Sequence, residues 1–150
     1  MDRLELETDK MFSDITEQVQ ATIPHSFRGL LTVFTPHTTA GIALLENEIL
    51  HLVDVRFFLD NMAPKTKPAE GLHRNTKYLH DMISLREGVP PEERVNGHSH
   101  IRSLFFSSSQ VVPVVDGVLL LGEFKRIMFV ELDPIRRREI FLMRVDESVK

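Results

Sequence analysis

The residues best suited to chemistry form a short run, Pro36-His37-Thr38-Thr39, directly after an apolar stretch. An imidazole can transfer protons near neutral pH, and hydroxyl groups can donate hydrogen bonds to an anion. Pro36 has no N–H to give to a sheet ladder, so it predicts the end of the preceding strand. The run therefore places polar groups at a strand end, as a catalytic or binding loop would. The alternative is a turn whose hydroxyls are satisfied locally.

Three more histidines, His80, His98 and His100, also fall at breaks between expected elements. If His98 and His100 lie on a strand, their i, i+2 spacing puts both side chains on one face. Together with His37 they would provide the neutral imidazoles that bind zinc and similar ions while leaving a position open for catalysis. The same side chains could instead serve as acid–base groups around a phosphate. No HExxH sequence or other closed metal signature accompanies them.

Two apolar runs flank His37 and would position it. Residues 30–34 and 42–45 are both predicted to be strands, and Glu46 closes the second. The histidine loop would then connect two buried elements, which fixes its ends and leaves its polar side chains at an edge.

Two or three helices are predicted. A capping box, with Asp14 as N-cap and Glu17 at N3, begins the first, and Pro24 ends it. Apolar residues at helical spacing predict a second helix over residues 48–58. Residues 78–85 could hold a short third helix within residues 61–94, a proline- and glycine-rich stretch long enough for a lid, a binding loop or a disordered span.

The last third of the chain is predicted to be mostly β, with the dipeptide Asp116-Gly117 as a strong hairpin signal. Residues 100–106 fit either a strand or a short helix. The whole chain, residues 1–150, is predicted to be one α+β domain with a mostly antiparallel, sandwich-like sheet system. The predicted strands in this third cover residues 110–115, 118–122, 126–132 and 138–145.

Composition excludes several classes of protein. The 150 residues include 18 Lys and Arg against 22 Asp and Glu, a net charge of −4, which argues against a nucleic-acid partner. The one basic cluster, Arg136-Arg137-Arg138, is predicted to be a solvated turn between two strands, with an anion or RNA site as the alternative. The chain has no cysteine, so disulfides and thiolate metal sites are excluded. No signal peptide and no apolar run near ~20 residues is present, so a cytoplasmic protein without membrane contact is expected.

The pattern resembles the YjbQ family over nearly the whole chain. The shared motifs are, in order, Pro36-His37-Thr38-Thr39-Ala40-Gly41, Glu46-Asn47, Tyr78 with His80-Asp81, Asn96 with His100, Ser109, Pro113-Val114-Val115-Asp116-Gly117 and Leu121-Gly122.

The resemblance implies a small α+β sandwich-like protein that assembles as a homotrimer and acts on a small phosphorylated metabolite. It also implies a secondary thiamine-phosphate synthase activity, which joins a thiazole phosphate to a pyrimidine pyrophosphate and releases pyrophosphate, normally with magnesium. The site that it implies is lined by His37, Thr38, Glu46, His80, Asn96, His100 and Ser109.

In such a reaction the charge on the departing oxygen is best stabilised by aimed donors and a cation. Glu46 would hold magnesium or orient His37, and His100 would protonate the leaving group. Replacing either histidine by alanine is expected to abolish turnover and to leave melting nearly unchanged. The candidate phosphate donors are Thr38, Thr39, Arg102, Ser107, Ser109 and Lys125.

Four residues and the proline-rich stretch over residues 65–74 depart from the family pattern. His98 stands where an acidic residue is common, Ser107 where glycine is common, and Phe124-Lys125 where an aromatic residue and glutamine are usual. His98 could add a metal ligand, and Lys125 could bring a positive charge to a phosphate. Two other functions stay open: a non-enzymatic trimeric protein that binds a phosphate metabolite, and a hydrolase that depends on a divalent metal such as zinc or magnesium.

Overall fold

The computed structural model describes residues 1–65, 77–90 and 92–148. The strands within these residues are β1 (Asp2–Thr8), β2 (Phe12–Asp14), β3 (Gly29–Phe34), β4 (Ala40–Glu46), β5 (Ser109–Val115), β6 (Val118–Leu119), β7 (Lys125–Glu131) and β8 (Arg136–Asp146). The helices are α1 (Thr16–Gln20), α2 (Ile49–Met62), a 3₁₀ helix (Leu79–Leu85) and α3 (Gly97–Ser103). The predicted α+β class is confirmed.

The strands form two antiparallel sheets. One sheet has five strands in the order β1-β8-β3-β5-β6, and the other has three in the order β2-β7-β4. The strands on either side of the histidine loop, β3 and β4, therefore belong to different sheets. The loop crosses from one layer of the sandwich to the other, which places His37 at an edge of the molecule's core.

The main core is apolar and draws on both sheets. Leu31 and Val33 of β3 are fully buried and belong to the same cluster as Ile127 and Phe129 of β7. Helix α1 adds Val19 to this cluster. Burial of one such side chain contributes about 1.5–3 kcal/mol, so this cluster holds the two sheets in fixed register.

Helix α2 packs on the opposite side of the three-stranded sheet. Its residue Leu59 is fully buried in a second cluster with Ala43 and Val130. The predicted helix is confirmed. The expectation that its apolar residues form a buried face is wrong for a single subunit, since Leu50 and Phe57 are 70% and 60% exposed. Apolar residues surround most of this helix, so their spacing could not tell which side faces the sheet.

The helix termini confirm one prediction and correct another. Helix α2 begins directly after Glu48, whose side chain accepts two backbone amide hydrogens as its N-cap. For α1 the capping box is wrong, because Ile15 is the N-cap and the helix ends before Pro24. The Asp14 carboxylate binds Arg126 through Oδ2 over 2.8 Å, and through Oδ1 it accepts the Thr16 amide hydrogen over 3.0 Å, one residue earlier in the chain than the N-cap.

A hairpin turn and a short helix lie where the local sequence predicts them. Asp116 and Gly117 both have positive φ, 49° and 77°, and join β5 to β6 as the hairpin signal predicts. The predicted short helix at residues 78–85 is present as the 3₁₀ helix. Residues 66–76 and 91, which belong to the stretch predicted as a lid or loop, lie outside the described residues.

The arginine cluster is not a solvated turn, so that prediction is wrong. Arg136 already begins β8, and Arg138 faces inward with a side chain only 6% exposed. The inward position is stable because Arg138 pairs with Glu131, as described below. Within the part of the chain that the structure describes, no helix is long and apolar enough to cross a membrane.

Candidate functional site

His37 lies just after β3, and its side chain accepts a hydrogen bond from β8 beyond the point where the backbone ladder between the two strands stops. The ladder between β3 and β8 stops before Pro36. The Glu139 amide, which is the next donor along β8 on this side, donates instead to His37 Nε2 over 2.9 Å. This bond requires an imidazole whose Nε2 is unprotonated, with its proton on Nδ1. Burial, and next the positive charge of Arg138, lower the pKa of His37 and favour that neutral form.

A buried ion pair fixes the loop between β3 and β4. Arg138 and Glu131 are joined by two contacts of 2.6 Å, and their side chains are 6% and 0% exposed. Arg138 also donates to Thr39 Oγ1 over 2.9 Å, and Thr8 donates to Glu131 over 2.7 Å. The hydroxyl of Thr39 is thus engaged within the fold, and Thr38 is the exposed threonine of this loop.

His98 and His100 lie on α3, so their expected placement on one face of a strand is wrong. Two residues on a helix are about 200° apart around its axis, so the two rings point to different sides. His98 is buried, with Nε2 3.2 Å from Ser99 Oγ, whereas His100 is half-buried. Burial, and next the positive charge of Arg102, lower the pKa of His98. Burial, and next the neighbouring ring of His80, lower the pKa of His100.

The 3₁₀ helix brings His80 against His100. Their ring centroids are 4.5 Å apart, and the planes meet edge to face at 68°. The helices approach closely because Asp81 Oδ1 accepts the Gly97 amide over 2.8 Å. A Cβ atom at Gly97 would lie 2.6 Å from Tyr78 Cβ, so a glycine is needed at this contact. The dipeptide His80-Asp81 therefore acts in packing α3 as well as in presenting a ring.

One segment, Glu131-Leu132-Asp133, is bonded to both elements that carry histidines. The Leu132 amide donates to the Thr39 carbonyl over 3.1 Å, beside the His37 loop. The Leu132 carbonyl accepts from Ser99 of α3 over 2.5 Å. Asp133 accepts from the side chain of Asn96, the N-cap of α3, over 3.0 Å. This buried segment, the clamp, therefore sets the spacing between the His37 loop and α3.

His37 and His100 line one groove at this junction, with a volume of about 510 Å³. Among the described residues that line it, none is a lysine, arginine, aspartate or glutamate. A groove of this kind can orient a small ligand through hydroxyl donors and apolar contacts, and exchange a proton with an imidazole. Its hydroxyl side chains include Thr38, Ser103 and Ser108, and its apolar ones include Phe34, Ala40, Leu104 and Phe106.

Of the predicted site residues, only His37, Thr38 and His100 line this groove. Three of the others, Glu46, Lys125 and Arg102, have partners elsewhere. Glu46 is at the far end of β4 from His37, roughly 20 Å away at ~3.3 Å per residue. There its cross-strand neighbour is Lys125, and both side chains are exposed. Arg102 is 4% exposed, and its guanidinium bonds across to the C-terminal end of α2. Within one subunit, neither cation faces the groove.

The three consecutive serines have different positions. Ser108 lines the groove. The Ser107 carbonyl accepts the Ile42 amide over 2.8 Å, which links the start of β5 to the other sheet. Ser109 is the first residue of β5, opposite Phe34 of β3. Of the three serines, only Ser108 therefore lines the groove.

Asn96 is 3% exposed, and its Oδ1 has no hydrogen-bond partner among the described residues. Its amide cannot be turned around, since the Asp133 carboxylate accepts from Nδ2. A buried acceptor that stays unpaired costs about 1–3 kcal/mol. Asn96 therefore has a buried acceptor without a partner among the described residues, and it is not one of the residues that line the groove.

The predicted metal ligands do not fit a three-histidine metal site. The Nε2 atom of His37 is engaged by the Glu139 amide, and His98 points away from His100. Only His80 adjoins His100. Among the described residues, no group of three or more His, Asp or Glu side chains could hold a metal ion. A divalent metal stays a prediction of the sequence, and no chemical step is assigned to it.

Sequence reasoning missed the residues that frame the groove. Arg138 lies in the inward phase of β8 with Ile140 and Leu142, and Glu131 ends the apolar run of β7. Charged residues at inward-facing positions of apolar strands indicate a buried ion pair, and the sequence shows this pattern at both positions. The aromatic wall formed by Phe34 was also missed, because strand periodicity alone does not reveal which outward residues border a cleft.

These features define a class of protein: an antiparallel α+β sandwich with a histidine-lined groove between a strand end and a short helix. A family model described as UPF0047 protein YjbQ-like matches residues 2–147. The chain therefore belongs to the YjbQ family, and the resemblance seen in its motifs is confirmed.

Relatives and solved structures agree with this assignment. A UPF0047 protein of Archaeoglobus fulgidus is 33% identical over 129 residues, covering 86% of each chain. UPF0047 protein YugU of Bacillus subtilis is 30% identical over 131 residues, covering 86% of this chain and 85% of its own. A hypothetical protein of Aeropyrum pernix superposes with a TM-score of 0.77 at 29% identity, over 97% of this chain and 98% of its own. A YjbQ/UPF0047 protein of Clostridium acetobutylicum gives 0.74 at 27% identity, over 97% and 100%.

Proposed function

We propose that the groove binds a small phosphorylated metabolite and that the protein acts on it as a secondary thiamine-phosphate synthase. The observation that carries the proposal is that His37 and His100, from distant parts of the chain, line the same groove. Hydroxyls of Thr38 and Ser108 provide donors for phosphate oxygens, and apolar side chains such as Phe34 provide a surface for a planar ring.

The histidines have different parts in this proposal. His37 is fixed by the Glu139 amide, so its Nδ1–H is a donor of defined direction. His100 has no such anchor among the described residues, and it is the group that exchanges a proton with the substrate. In the reaction the thiazole nitrogen bonds to the methylene carbon of the pyrimidine pyrophosphate, and the carbon–oxygen bond breaks with its electrons leaving on pyrophosphate. The donors around the groove stabilise that departing charge.

The test is a ³¹P NMR assay of the purified protein with thiazole phosphate, pyrimidine pyrophosphate and magnesium. We expect thiamine phosphate and pyrophosphate to appear together, and a His100→Ala variant to lose at least about a hundredfold in rate. The absence of product in the presence of saturable substrate binding would reject the synthase and leave binding alone.

One observation favours a second candidate, a protein that binds a phosphate metabolite without transforming it. Lys125, Arg102 and Glu46 lie away from the groove within one subunit. A reaction that expels pyrophosphate gains most from cations aimed at the leaving group, whereas binding does not require them. Such a protein would show thermal stabilisation that saturates with ligand, and no turnover.

The proposed assembly is a homotrimer, which the family resemblance implies. Support comes from apolar side chains exposed on two sides of the subunit. On α2, Leu50 and Phe57 are largely exposed, and on the five-stranded sheet Val111 and Met143 are about half exposed. Exposed apolar surface of this kind marks sites of protein–protein contact.

A further inference from the structure

His37 lines a second cavity besides the groove. This cavity, which we call the cleft, has a volume of about 510 Å³, and strands β1 and β8 provide most of its lining. The described lining of the groove has no charged aspartate, glutamate, lysine or arginine, whereas the cleft has five such residues. They are Glu5, Glu7, Arg137, Arg138 and Glu139.

Three of the five charges in the cleft are compensated within the fold. Arg138 forms the buried ion pair with Glu131. Arg3 of β1 binds two of the carboxylates, Glu5 over 2.7 Å and Glu139 over 2.9 Å. A charge with an opposite charge at this distance exerts only a weak net field on a third group. These three residues therefore have little need of a ligand.

The other two charges, Glu7 and Arg137, face each other without pairing. They are directly opposite in the register of β1 with β8, and both are exposed. Opposite charges at such positions can stabilise an antiparallel ladder by pairing across it. Here no ion pair or hydrogen bond joins either side chain to any residue that the structure describes. The cleft therefore presents one uncompensated anion beside one uncompensated cation.

Arg137 differs from its two neighbours in the arginine cluster. Arg136 pairs with Asp133 over 2.7 Å, and Arg138 pairs with Glu131, so both are bonded to the clamp. A guanidinium carries N–H donors in a planar fork that matches a carboxylate or a phosphate. Arg137 is the member of the cluster whose fork has no acceptor among the described residues, and it is the one that can bind an anion in the cleft.

We propose that the cleft binds a small zwitterion, with its anionic group on Arg137 and its ammonium group on Glu7. Leu6 also lines the cleft and packs against the main core, so it offers an apolar contact to the carbon atoms between the two charged groups. Carboxylate and phosphate zwitterions share this chemistry. The inference stands independently of the function proposed for the groove.

The charges of the cleft favour a zwitterion over an ion of one sign. A simple anion gains the attraction of Arg137, but it is repelled by the adjacent carboxylate of Glu7. A simple cation has the converse difficulty. A molecule with both groups satisfies both residues, and rejection of singly charged molecules by the unmatched residue gives the site its specificity.

The first test is titration calorimetry with β-alanine and phosphoethanolamine, which both carry an ammonium group on a two-carbon chain. We expect saturable binding of at least one of them with a Kd of about 1 mM or tighter. Propionate, ethyl phosphate and ethylamine, which each lack one charge, should bind at least about tenfold more weakly. Preference for phosphoethanolamine would identify a phosphate ligand, and preference for β-alanine a carboxylate ligand. Saturation by neither zwitterion, or equal binding of the singly charged molecules, would overturn the proposal.

Variants of the two unpaired residues show whether the zwitterion lies in the cleft. Arg137→Gln and Glu7→Gln each remove one charge from an exposed side chain, so the fold should persist. Arg86→Gln and Glu87→Gln, also at exposed positions, are the matched controls. We expect the cleft variants to bind the preferred zwitterion at least about tenfold more weakly, and the controls to bind it like the wild type. Unchanged affinity in both cleft variants would place the binding elsewhere and reject the site.

The ring of His37 gives a readout that separates this inference from the proposed function. Because the ring lines the cleft, the zwitterion should shift its resonances in ¹H–¹⁵N NMR spectra, and Arg137→Gln should abolish the shift. A protein that binds the zwitterion in this way but shows neither binding nor turnover of pyrimidine pyrophosphate would reject the function of the groove and leave the cleft site intact. Turnover of that substrate with no binding of either zwitterion would reject the cleft site alone.

Discussion

In the proposed reaction His100 is the residue that transfers a proton, and its described contact is the ring of His80. Replacing His100 by alanine should lower kcat by about 10²–10⁴, the usual contribution of a general acid or base. The thermal midpoint should change little, because the half-buried ring leaves no described hydrogen bond unpaired. His25→Ala, at an exposed position, serves as the control and should leave both rate and midpoint unchanged. An equal loss of stability and activity would instead indicate a structural histidine.

His37 differs because it satisfies a backbone amide. His37→Ala leaves the Glu139 N–H without its acceptor in a partly buried place, so we expect the free energy of unfolding to fall by about 1–3 kcal/mol. This expectation replaces the one drawn from the sequence, that melting would stay nearly unchanged. Urea unfolding measures the loss. His37→Gln, whose side-chain oxygen can accept the same hydrogen, should recover part of it, and a His37→Ala variant as stable as the wild type would contradict the assigned bond.

At the scale of elements, the pair Arg138–Glu131 ties β8 to β7 and holds Thr39 beneath the groove. Arg138→Met leaves a buried carboxylate without its partner, so stability should fall by about 3–5 kcal/mol. Adding Glu131→Leu removes the orphaned charge, and the double variant should be more stable than Arg138→Met alone. Chemical denaturation of the two variants beside the wild type checks the order. A double variant less stable than the single one would show that the pair does not act as a unit.

The clamp also makes stability depend on pH. Burial tends to raise the pKa values of Glu131 and Asp133, but hydrogen bonds from Arg138 to the first and from Asn96 to the second hold both below their ordinary 4.5 and 3.8. Carboxyls with depressed folded pKa values stabilise the fold above their unfolded pKa, and this contribution is lost as pH falls through the folded values. The urea concentration at the unfolding midpoint should therefore decrease as the pH is lowered below about 5. The Glu131→Leu/Arg138→Met double variant should lose less on acidification, and parallel profiles would contradict the assignment.

Elements with strong local signals could be predicted from the sequence. Strand β3 ends where Pro36 requires, and the hairpin turns at Asp116-Gly117 because both residues accept positive φ. The failures came from long-range contacts that no local pattern encodes. Arg126 pairs with both acids of the expected capping box, Asp14 and Glu17, and Glu131 draws Arg138 into the core.

The candidate site could be predicted only in part for the same reason. His37 and His100 were both identified, and they do line one groove. His98 was grouped with His100 on the assumption of a strand, but the helix separates their rings. The family resemblance implies that Glu46 lines the same site as His37, whereas β4 extends between them. Residues at the two ends of one strand are far apart in space, and their spacing in the sequence does not show this.

For the whole molecule, the exposed apolar surface exceeds what isolated side chains would explain. On the outer face of the five-stranded sheet, Val111 and Met143 are about half exposed. On the outer side of the other sheet, α2 has residues such as Ile49 and Leu50 that are each 70% exposed. A subunit with apolar surface on two sides can contact two neighbours at once, as each member of a closed ring does. The homotrimer proposed above would satisfy both surfaces with one symmetric arrangement.

Assembly of that kind should appear in the thermal stability. If folding is linked to association, the midpoint of thermal unfolding must rise with protein concentration, since the associated state is favoured by mass action. Calorimetry from about 1 to 100 μM protein should show this rise in the wild type. Met143→Glu should unfold at a lower midpoint that no longer depends on concentration, because it puts a carboxylate on the exposed apolar face of the five-stranded sheet. A wild type with a constant midpoint and a mass of 17.3 kDa would mean that the subunit is stable with both surfaces in water, and the trimer would have to be abandoned.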